Sequence, residues 1–125
     1  MALYATLLYY PEDRYWTSPE EEEEFSAGYG EFGAAAGAAG VLRGGEALHP
    51  ASMATTITVD GGKGGELMIS DGPYAEAKEV LGGFYLVDVA DLDEAIRWAA
   101  QIPAAWRGRV EVRPVVPMQG SAGTA

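Results

Sequence analysis

The chain has 125 residues, 48% of them hydrophobic and 22% charged, which excludes a disordered or collagen-like protein and predicts one globular domain. Nineteen acidic against eight basic residues give a formal net charge of −11, so neither a nucleic acid nor an anionic membrane is predicted as a partner. Cysteine is absent, which excludes disulfides and thiolate nucleophiles and fits a cytoplasmic protein.

The opening hydrophobic stretch, residues 3–10, consists of β-favouring residue types and predicts a first, central strand covered on both faces. It lacks a basic leader and ends at Pro11, so we do not predict a signal peptide. No apolar run reaches the roughly 20 residues that a membrane helix needs. The loop that follows carries Tyr15 and Trp16, which either pack on the next helix start or line a pocket.

A helix is predicted to begin after Ser18, because Pro19 suits the first helical position and Glu21 suits a capping box. The glutamate run 20–24 faces the positive helix end, which favours a solvated helix start over a metal site. Gly40 is predicted to stop the helix. The apolar stripe expected to be buried repeats at spacings of three and four residues, at Phe25, Tyr29, Phe32, Ala36 and Ala39.

Residues 41–48 predict a strand in which Gly44 and Gly45 mark a bulge or a bend. Two further β segments, 55–59 and 67–69, flank the glycine-rich turn 60–65 and predict a hairpin. A phosphate-binding loop is not favoured there, because such a loop requires a helix directly after the glycines.

The last third of the chain predicts a strand, a helix and a strand. Residues 84–89 form the strand, with Tyr85 and Val87 on the face opposite Phe84 and Leu86. The helix is capped by Asp91 with Glu94, ends at Pro103 and has a predicted buried stripe. The members of this helix stripe are Leu92, Ile96, Ala99 and Ile102. Residues 110–116 are predicted to form the final strand.

The order strand, helix, two or three strands, helix, strand is typical of an α+β, ferredoxin-like split βαβ domain with an antiparallel sheet and helices on one face. The second face of such a sheet is bare. We therefore expect a partner chain to cover it, and so a homodimer. The apolar residues expected on that bare face include Leu8, Tyr10, Tyr85 and Val87.

Three passages, residues 45–48 (GEAL), 70–85 (SDGPYAEAKEVLGGFY) and 111–114 (EVRP), resemble the YCII-related family. The likeness is to its DGPF-domain branch, named after an Asp-Gly-Pro-Phe motif that reads DGPY at residues 71–74 here. The resemblance implies a dimeric α/β barrel with a pocket between sheet and loops. It runs from the first strand to about Val116, so we assign residues 1–118 to one domain and 119–125 to a disordered tail.

Asp71 has two open interpretations. It either caps a short helix in which Gly72 and Pro73 take the first positions, or it is a fixed carboxylate at a pocket rim. Tyr74 and Lys78 are four residues apart, so on a helical turn they project from one face. They either bracket an anion, or Lys78, flanked by Glu76 and Glu79, is a solvated surface charge. The family more often has Phe at the position of Tyr74, which implies that the ring matters more than the hydroxyl.

Glu46 lies in an apolar, glycine-rich strand, an unusual place for an acid without a partner, and Arg113 is the predicted partner. The pair is either structural or part of a site. His49 is the single histidine and precedes Pro50 at a strand end, where a loop role and a ligand-binding role are both open. One histidine and no cysteine give no support for a metal site.

These observations predict a small-molecule pocket lined by Glu46, Asp71, Tyr85 and Arg113. If the protein is an enzyme, it performs proton transfer or elimination without a cofactor, with Asp71 or Glu46 as base and Arg113 or Lys78 holding a small anionic or phenolic ligand. The alternative is a non-catalytic binding or regulatory module in which the motif at 71–74 is a structural turn.

Overall fold

The computed structural model describes residues 1–11, 18–73 and 79–117. A short 3-10 turn, Ala51–Met53, precedes the hairpin. The strands and helices are, in chain order, β1 (Ala2–Pro11), α1 (Pro19–Ala38), β2 (Leu42–Ala47), β3 (Thr55–Asp60), β4 (Glu66–Asp71), β5 (Glu79–Val89), α2 (Leu92–Ala99), α3 (Ala104–Arg107) and β6 (Arg109–Pro114).

The main sheet has four strands in the order β2-β5-β1-β6, and each hydrogen-bonded pair is antiparallel. Since β5 runs antiparallel to both β1 and β2, those two strands are parallel to each other, with β5 inserted between them. This is the split βαβ arrangement, so the predicted ferredoxin-like α+β fold is confirmed, with β1 in the interior of the sheet. The register shifts between Leu42 and Gly44, at the predicted bulge.

One face of the sheet packs on the helices. Along β1 this face carries Tyr4, Thr6, Leu8 and Tyr10, all buried. The prediction that Leu8, Tyr10, Tyr85 and Val87 lie on the bare face is wrong. Leu8 and Val87 are 2% and 0% exposed, and the Tyr85 ring contacts Phe32 of α1. Because side chains alternate along a strand, one wrong assignment of a residue to a face reverses the whole set.

The opposite face, called the open face below, consists of half-buried residues that alternate with the core set. Their place follows from the register, in which Leu7 pairs with Phe84 and Ala5 pairs with Leu86. On β6, Glu111 and Arg113 pair with Leu7 and Ala5 and so share this face, as predicted from their alternation with Val110 and Val112. The apolar members of the open face are Leu3, Ala5, Leu7, Tyr9, Phe84 and Leu86.

Helix α1 begins as predicted, because the Ser18 hydroxyl accepts a hydrogen bond of 3.2 Å from the Glu21 amide. It ends at Gly40, whose φ of 74° is left-handed. Phe25, Phe32 and Ala36 of the predicted stripe are buried, whereas Ala39 is exposed. A Cβ added at Gly28 would lie 2.8 Å from Pro103 Cγ, so this glycine permits close packing of α1 against the α2–α3 connection.

Helix α2 has the predicted cap, since Asp91 Oδ1 accepts a 2.9 Å hydrogen bond from the Glu94 amide. Its predicted stripe is wrong in part. Leu92 and Ile96 are 48% and 50% exposed, whereas Ala95, Ala99 and Ile102 are buried. The face of α2 that is buried therefore consists of small alanine side chains, and the larger Leu92 and Ile96 are half exposed. Helix α3 was not predicted.

Strands β3 and β4 form a separate two-stranded sheet, called the arm (residues 55–71) below. The predicted hairpin is therefore confirmed, with β4 extending to Asp71. Gly61 and Gly62, both with φ of 83°, allow the tight turn. Within the described part of the chain, no helix is long and apolar enough to cross a membrane.

Candidate functional site

The described residues line two cavities near β2, the edge strand of the sheet, and the neighbouring strand β5. The first, the helix-side cavity, has a volume of about 430 Å³ and is lined by residues that include Leu8, Tyr10, Tyr29, Glu46 and Tyr85. The second, the hairpin-side cavity, has a volume of about 620 Å³ and is lined by residues that include Tyr9, His49, Met53, Pro73, Glu79 and Leu81. Leu48, which follows β2, lines both cavities.

Glycines in two strands give the tyrosine rings of the helix-side cavity their space. A Cβ added at Gly82 would lie 2.7 Å from the Tyr10 ring, and one at Gly45 would lie 2.7 Å from Tyr85 Cδ1. Both distances are far below ordinary van der Waals contact, so a side chain at Gly82 would displace the Tyr10 ring, and one at Gly45 would collide with the Tyr85 ring and with the Phe84 carbonyl oxygen at 2.5 Å. The glycine pairs 44–45 and 82–83 are the sequence signal for this packing.

The tyrosines of the helix-side cavity differ in their hydrogen bonding. The hydroxyls of Tyr10 and Tyr29 are hydrogen-bonded to each other and link β1 to α1. The Tyr85 ring packs on Phe32 at a centroid distance of 4.8 Å, and burial raises the pKa of its phenol above 10.0. Among residues 1–11, 18–73 and 79–117, no hydrogen-bond partner is found for the Tyr85 hydroxyl. It is therefore a neutral, available donor at physiological pH.

Glu46 and Tyr85, both predicted as site residues, both line the helix-side cavity. Tyr85 lies on the helix side of the sheet, whereas Glu46 pairs with Phe84 and therefore belongs to the open-face side of β2, at the exposed rim of the cavity. The predicted pair of Glu46 with Arg113 within one chain is wrong. Glu46 is on the β2 edge of the sheet and Arg113 on the β6 edge, with β5 and β1 between them. Three strand spacings separate them by about 14 Å. The sequence predicted the pair from residue types alone, which do not determine the order of the strands.

Asp71 is the exposed last residue of β4 and does not line either cavity. The predicted helix start is wrong at Gly72, whose φ of 94° is not helical. The Gly72 amide instead donates to the Ala54 carbonyl at 2.7 Å, and the Gly72 carbonyl accepts from Thr56 Oγ1 at 2.8 Å. The residues after Asp71 thus close the base of the arm, because the backbone hydrogen bonds of β3 and β4 continue there.

Several predictions fall on residues outside those that the structure describes. They concern the aromatic pair Tyr15 and Trp16, the anion-binding pair Tyr74 and Lys78, and the tail 119–125. The amide of Tyr74, the proposed partner of an Asp71 cap, belongs to the same group.

The hairpin-side cavity places His49, exposed at the end of β2, near two polar clusters. Tyr9 donates a hydrogen bond of 3.4 Å to Glu111, and burial, followed by the Glu111 charge, raises the pKa of the Tyr9 phenol. Glu79 pairs with Arg109 at 3.1 Å. The sequence did not predict Tyr9, Tyr10, Tyr29 or Glu79 as site residues. The signal for the β1 tyrosines was their position at the end of an alternating strand that ends in proline.

Within the described ranges, no group of three or more histidine, aspartate or glutamate side chains is arranged to hold a metal ion.

Comparison of the sequence with known proteins identifies a family. The family model described as the YCII-related domain matches residues 2–119. The chain is also similar to an uncharacterised protein of Rhizobium meliloti (strain 1021), with 38% identity over 120 residues that cover 90% of this chain and 91% of the relative. The chain belongs to the YCII-related domain family.

Proposed function

We propose that the protein binds a small phenolic molecule in the helix-side cavity. The observation that carries this proposal is a concave site of about 430 Å³ whose lining combines apolar and aromatic side chains with a few polar groups. A volume of this size falls within the roughly 300–1,000 Å³ of small-molecule sites. The Tyr85 hydroxyl donates a hydrogen bond to an oxygen of the ligand, and the Glu46 carboxylate accepts a hydrogen bond from the phenolic hydroxyl of the ligand.

The lining favours a phenol over an anion. The cavity is lined by one carboxylate, Glu46, and by no lysine, arginine or histidine among the described residues. The whole chain carries a formal net charge of −11, which disfavours an anionic ligand further. Of the two ligand classes predicted from sequence, we therefore propose the phenolic one.

A second candidate function is proton transfer without a cofactor, with Glu46 as the base. Its position at the rim of a cavity that also contains an uncharged phenol donor favours this chemistry. Glu46 would take a proton from an acidic carbon of the bound molecule, and the Tyr85 hydroxyl would stabilise the resulting oxyanion until the proton returns. Glu46 is exposed in the free chain, so the bound ligand must cover its carboxylate before proton transfer takes place.

A thermal-shift comparison of small phenols with small carboxylates tests the binding proposal. A ligand at 100 times its dissociation constant stabilises the folded state by about 2.7 kcal/mol. Tyr85→Phe should weaken phenol binding by roughly 2- to 12-fold, because one hydrogen bond contributes about 0.5–1.5 kcal/mol. Glu66→Gln on the arm removes an equivalent exposed carboxylate away from the cavity and is the matched control for Glu46→Gln.

The outcomes separate the two functions from the alternative of a non-catalytic module. The proposed binding site is contradicted if phenols leave the melting temperature unchanged. It is also contradicted if they raise the melting temperature of wild type and of Tyr85→Phe by the same amount. If phenols bind, solvent hydrogen exchange at an acidic carbon of the bound ligand, followed by NMR, tests proton transfer. Exchange that is the same in wild type and Glu46→Gln contradicts the base and leaves the non-catalytic binding module.

We further propose that two copies of the chain associate through their open faces. The support is a row of half-buried apolar residues on the face opposite the helices. A two-fold axis parallel to the strands places the β2 edge of one copy over the β6 edge of the other. Glu46 then lies over the β6 edge of the second copy, whose open face carries Arg109, Glu111 and Arg113.

Sedimentation velocity tests this association. Leu7→Arg puts a charge in the centre of the open face and should yield monomers, whereas Ala34→Arg on the exposed side of α1 is the matched control. A wild-type chain that is monomeric at micromolar concentration, or a Leu7→Arg chain that is still dimeric, contradicts the proposal.

We also propose that the chain belongs to the DGPF-domain branch, on the support of residues 71–73, and that its location is cytoplasmic.

A further inference from the structure

The arm has one apolar and one polar face. Ile57 pairs directly with Ile69, and Val59 with Leu67, so these four aliphatic side chains lie on the same face. Their exposed fractions are 63%, 61%, 41% and 59%, respectively. The opposite face is mostly polar and contains the directly opposed pair Thr58 and Met68. This division is typical of a sheet that packs on another surface with one face.

The arm has little support from the described part of its own chain. A two-stranded hairpin alone is marginally stable in water. All residues of β4, and all of β3 except Thr56, are exposed. The hydrogen bonds from the Gly72 amide and from Thr56 hold its base, but they leave the aliphatic face uncovered. A stable arm with this face therefore requires a covering surface that the described residues, 1–11, 18–73 and 79–117, do not supply.

The place of the arm indicates which surface that is. Its base, at Met53, Ala54 and Pro73, borders the hairpin-side cavity together with Tyr9 of the open face. The arm thus rises at the border of the open face. Packed sheets lie about 10 Å apart, and a strand of six residues spans about 20 Å. A second copy seated on the open face is within reach of the arm.

We infer that the aliphatic face of the arm docks on a second copy of this chain, so that two arms clasp the two copies reciprocally. This inference rests on the proposed association through the open faces. A single two-fold axis allows the open face and the aliphatic face of the arm to be covered in each copy, because each copy supplies the same two surfaces. The four side chains of each arm leave roughly 200–400 Å² uncovered, so two docked arms add on the order of 800–1,600 Å² of buried surface, comparable to a standard interface.

A charge-neutral double substitution tests the arm directly. Ile57→Asp/Ile69→Lys replaces a directly opposed pair on the aliphatic face and keeps the formal net charge of −11. Opposite charges across the pair help to keep the hairpin formed. The matched control is Thr58→Asp/Met68→Lys, which makes the same exchange at the directly opposed pair on the other face. Sedimentation velocity at several concentrations gives the dimer dissociation constant of each chain.

The expected result is a rise of at least tenfold in the dimer dissociation constant for Ile57→Asp/Ile69→Lys, with the control changed less than threefold. Equal dissociation constants for both variants overturn the inference. Ile57→Thr/Ile69→Thr, which keeps β-branched side chains, covers the case in which the charged pair disturbs the arm. It should weaken the dimer in the same direction, and no change overturns the inference.

Two further outcomes separate this inference from the proposals on which it depends. Dissociation by Leu7→Arg but not by either arm variant overturns the arm contact and leaves the open-face dimer intact. A wild-type monomer overturns both. In flotation with phosphatidylcholine and phosphatidylglycerol vesicles, we expect no binding. Wild-type binding that is lost in Ile57→Asp/Ile69→Lys would instead assign the arm to lipid.

Discussion

Gly82→Ala isolates the role of the β5 glycines in shaping the helix-side cavity. The added Cβ would lie 2.7 Å from Cδ2 and Cε2 of Tyr10, so the buried Tyr10 ring must move by roughly 0.7 Å to restore ordinary contact. Overpacking of this kind costs about 1–3 kcal/mol, and the reduced freedom of the unfolded chain offsets about 0.4–1 kcal/mol of that cost. We expect a net loss of about 1–2 kcal/mol and a decrease of roughly 3–12 °C in the melting temperature.

Gly33→Ala is the matched control, because nothing lies within 4 Å of its added Cβ and Gly33 is in the interior of α1. It should raise stability by about 1 kcal/mol. Urea unfolding at one fixed protein concentration measures both variants. In a Tyr10→Leu background, Gly82→Ala should cost much less, because the colliding ring is gone. Gly82→Ala that stabilises the protein as much as Gly33→Ala would refute the reasoning.

The remaining predictions concern titration, capping and the core. Burial raises the pKa of the Tyr9 and Tyr85 phenols above 10.0, so their contribution to stability is complete below about pH 10 and is lost as pH rises through the folded-state values. Urea unfolding from pH 8 to 11 should show this decline, and a Tyr85→Phe chain with an equally steep decline contradicts it. Asp91→Ala removes the α2 cap and should cost about 0.5–2 kcal/mol in urea unfolding, whereas Asp91→Ser should retain most of the stability; equal losses argue against capping. Phe32→Ala should cost about 3–5 kcal/mol, because this 1%-exposed ring packs between Tyr85 and Trp98; a change below 1 kcal/mol in thermal unfolding would be inconsistent with that packing.

Local signals in the sequence were reliable wherever a short-range physical cause determined the structure. The caps at Ser18 and Asp91, the glycine stop at residue 40 and the glycine-rich hairpin turn were all predicted from residues within a few positions. Hydrogen bonds and backbone conformations of this kind require no distant partner. The order of elements then sufficed to predict the split βαβ fold, because few topologies connect that order without crossing.

The candidate site was predictable only in part. Glu46 and Tyr85 come together because β2 and β5 are neighbours, with Gly45 pairing with Tyr85. Asp71 and Arg113 do not join them, since one ends the arm and the other lies on the far edge of the sheet. Alternation along a strand gives the relative facing of residues, but not which face packs on the helices. The wrong assignment of Leu8 and Val87 to the bare face followed from that ambiguity.

The sequence by itself determined the element order, the caps, the turn chemistry and the family likeness, because each depends on local spacing and residue type. The tertiary structure decided which face of the sheet the helices cover, which edge each strand occupies and which glycines give space to rings. These features depend on contacts between residues far apart in the chain, such as Gly82 with Tyr10 and Phe32 with Tyr85. The position of the arm beside the open face belongs to the same class, because it depends on how separate elements pack.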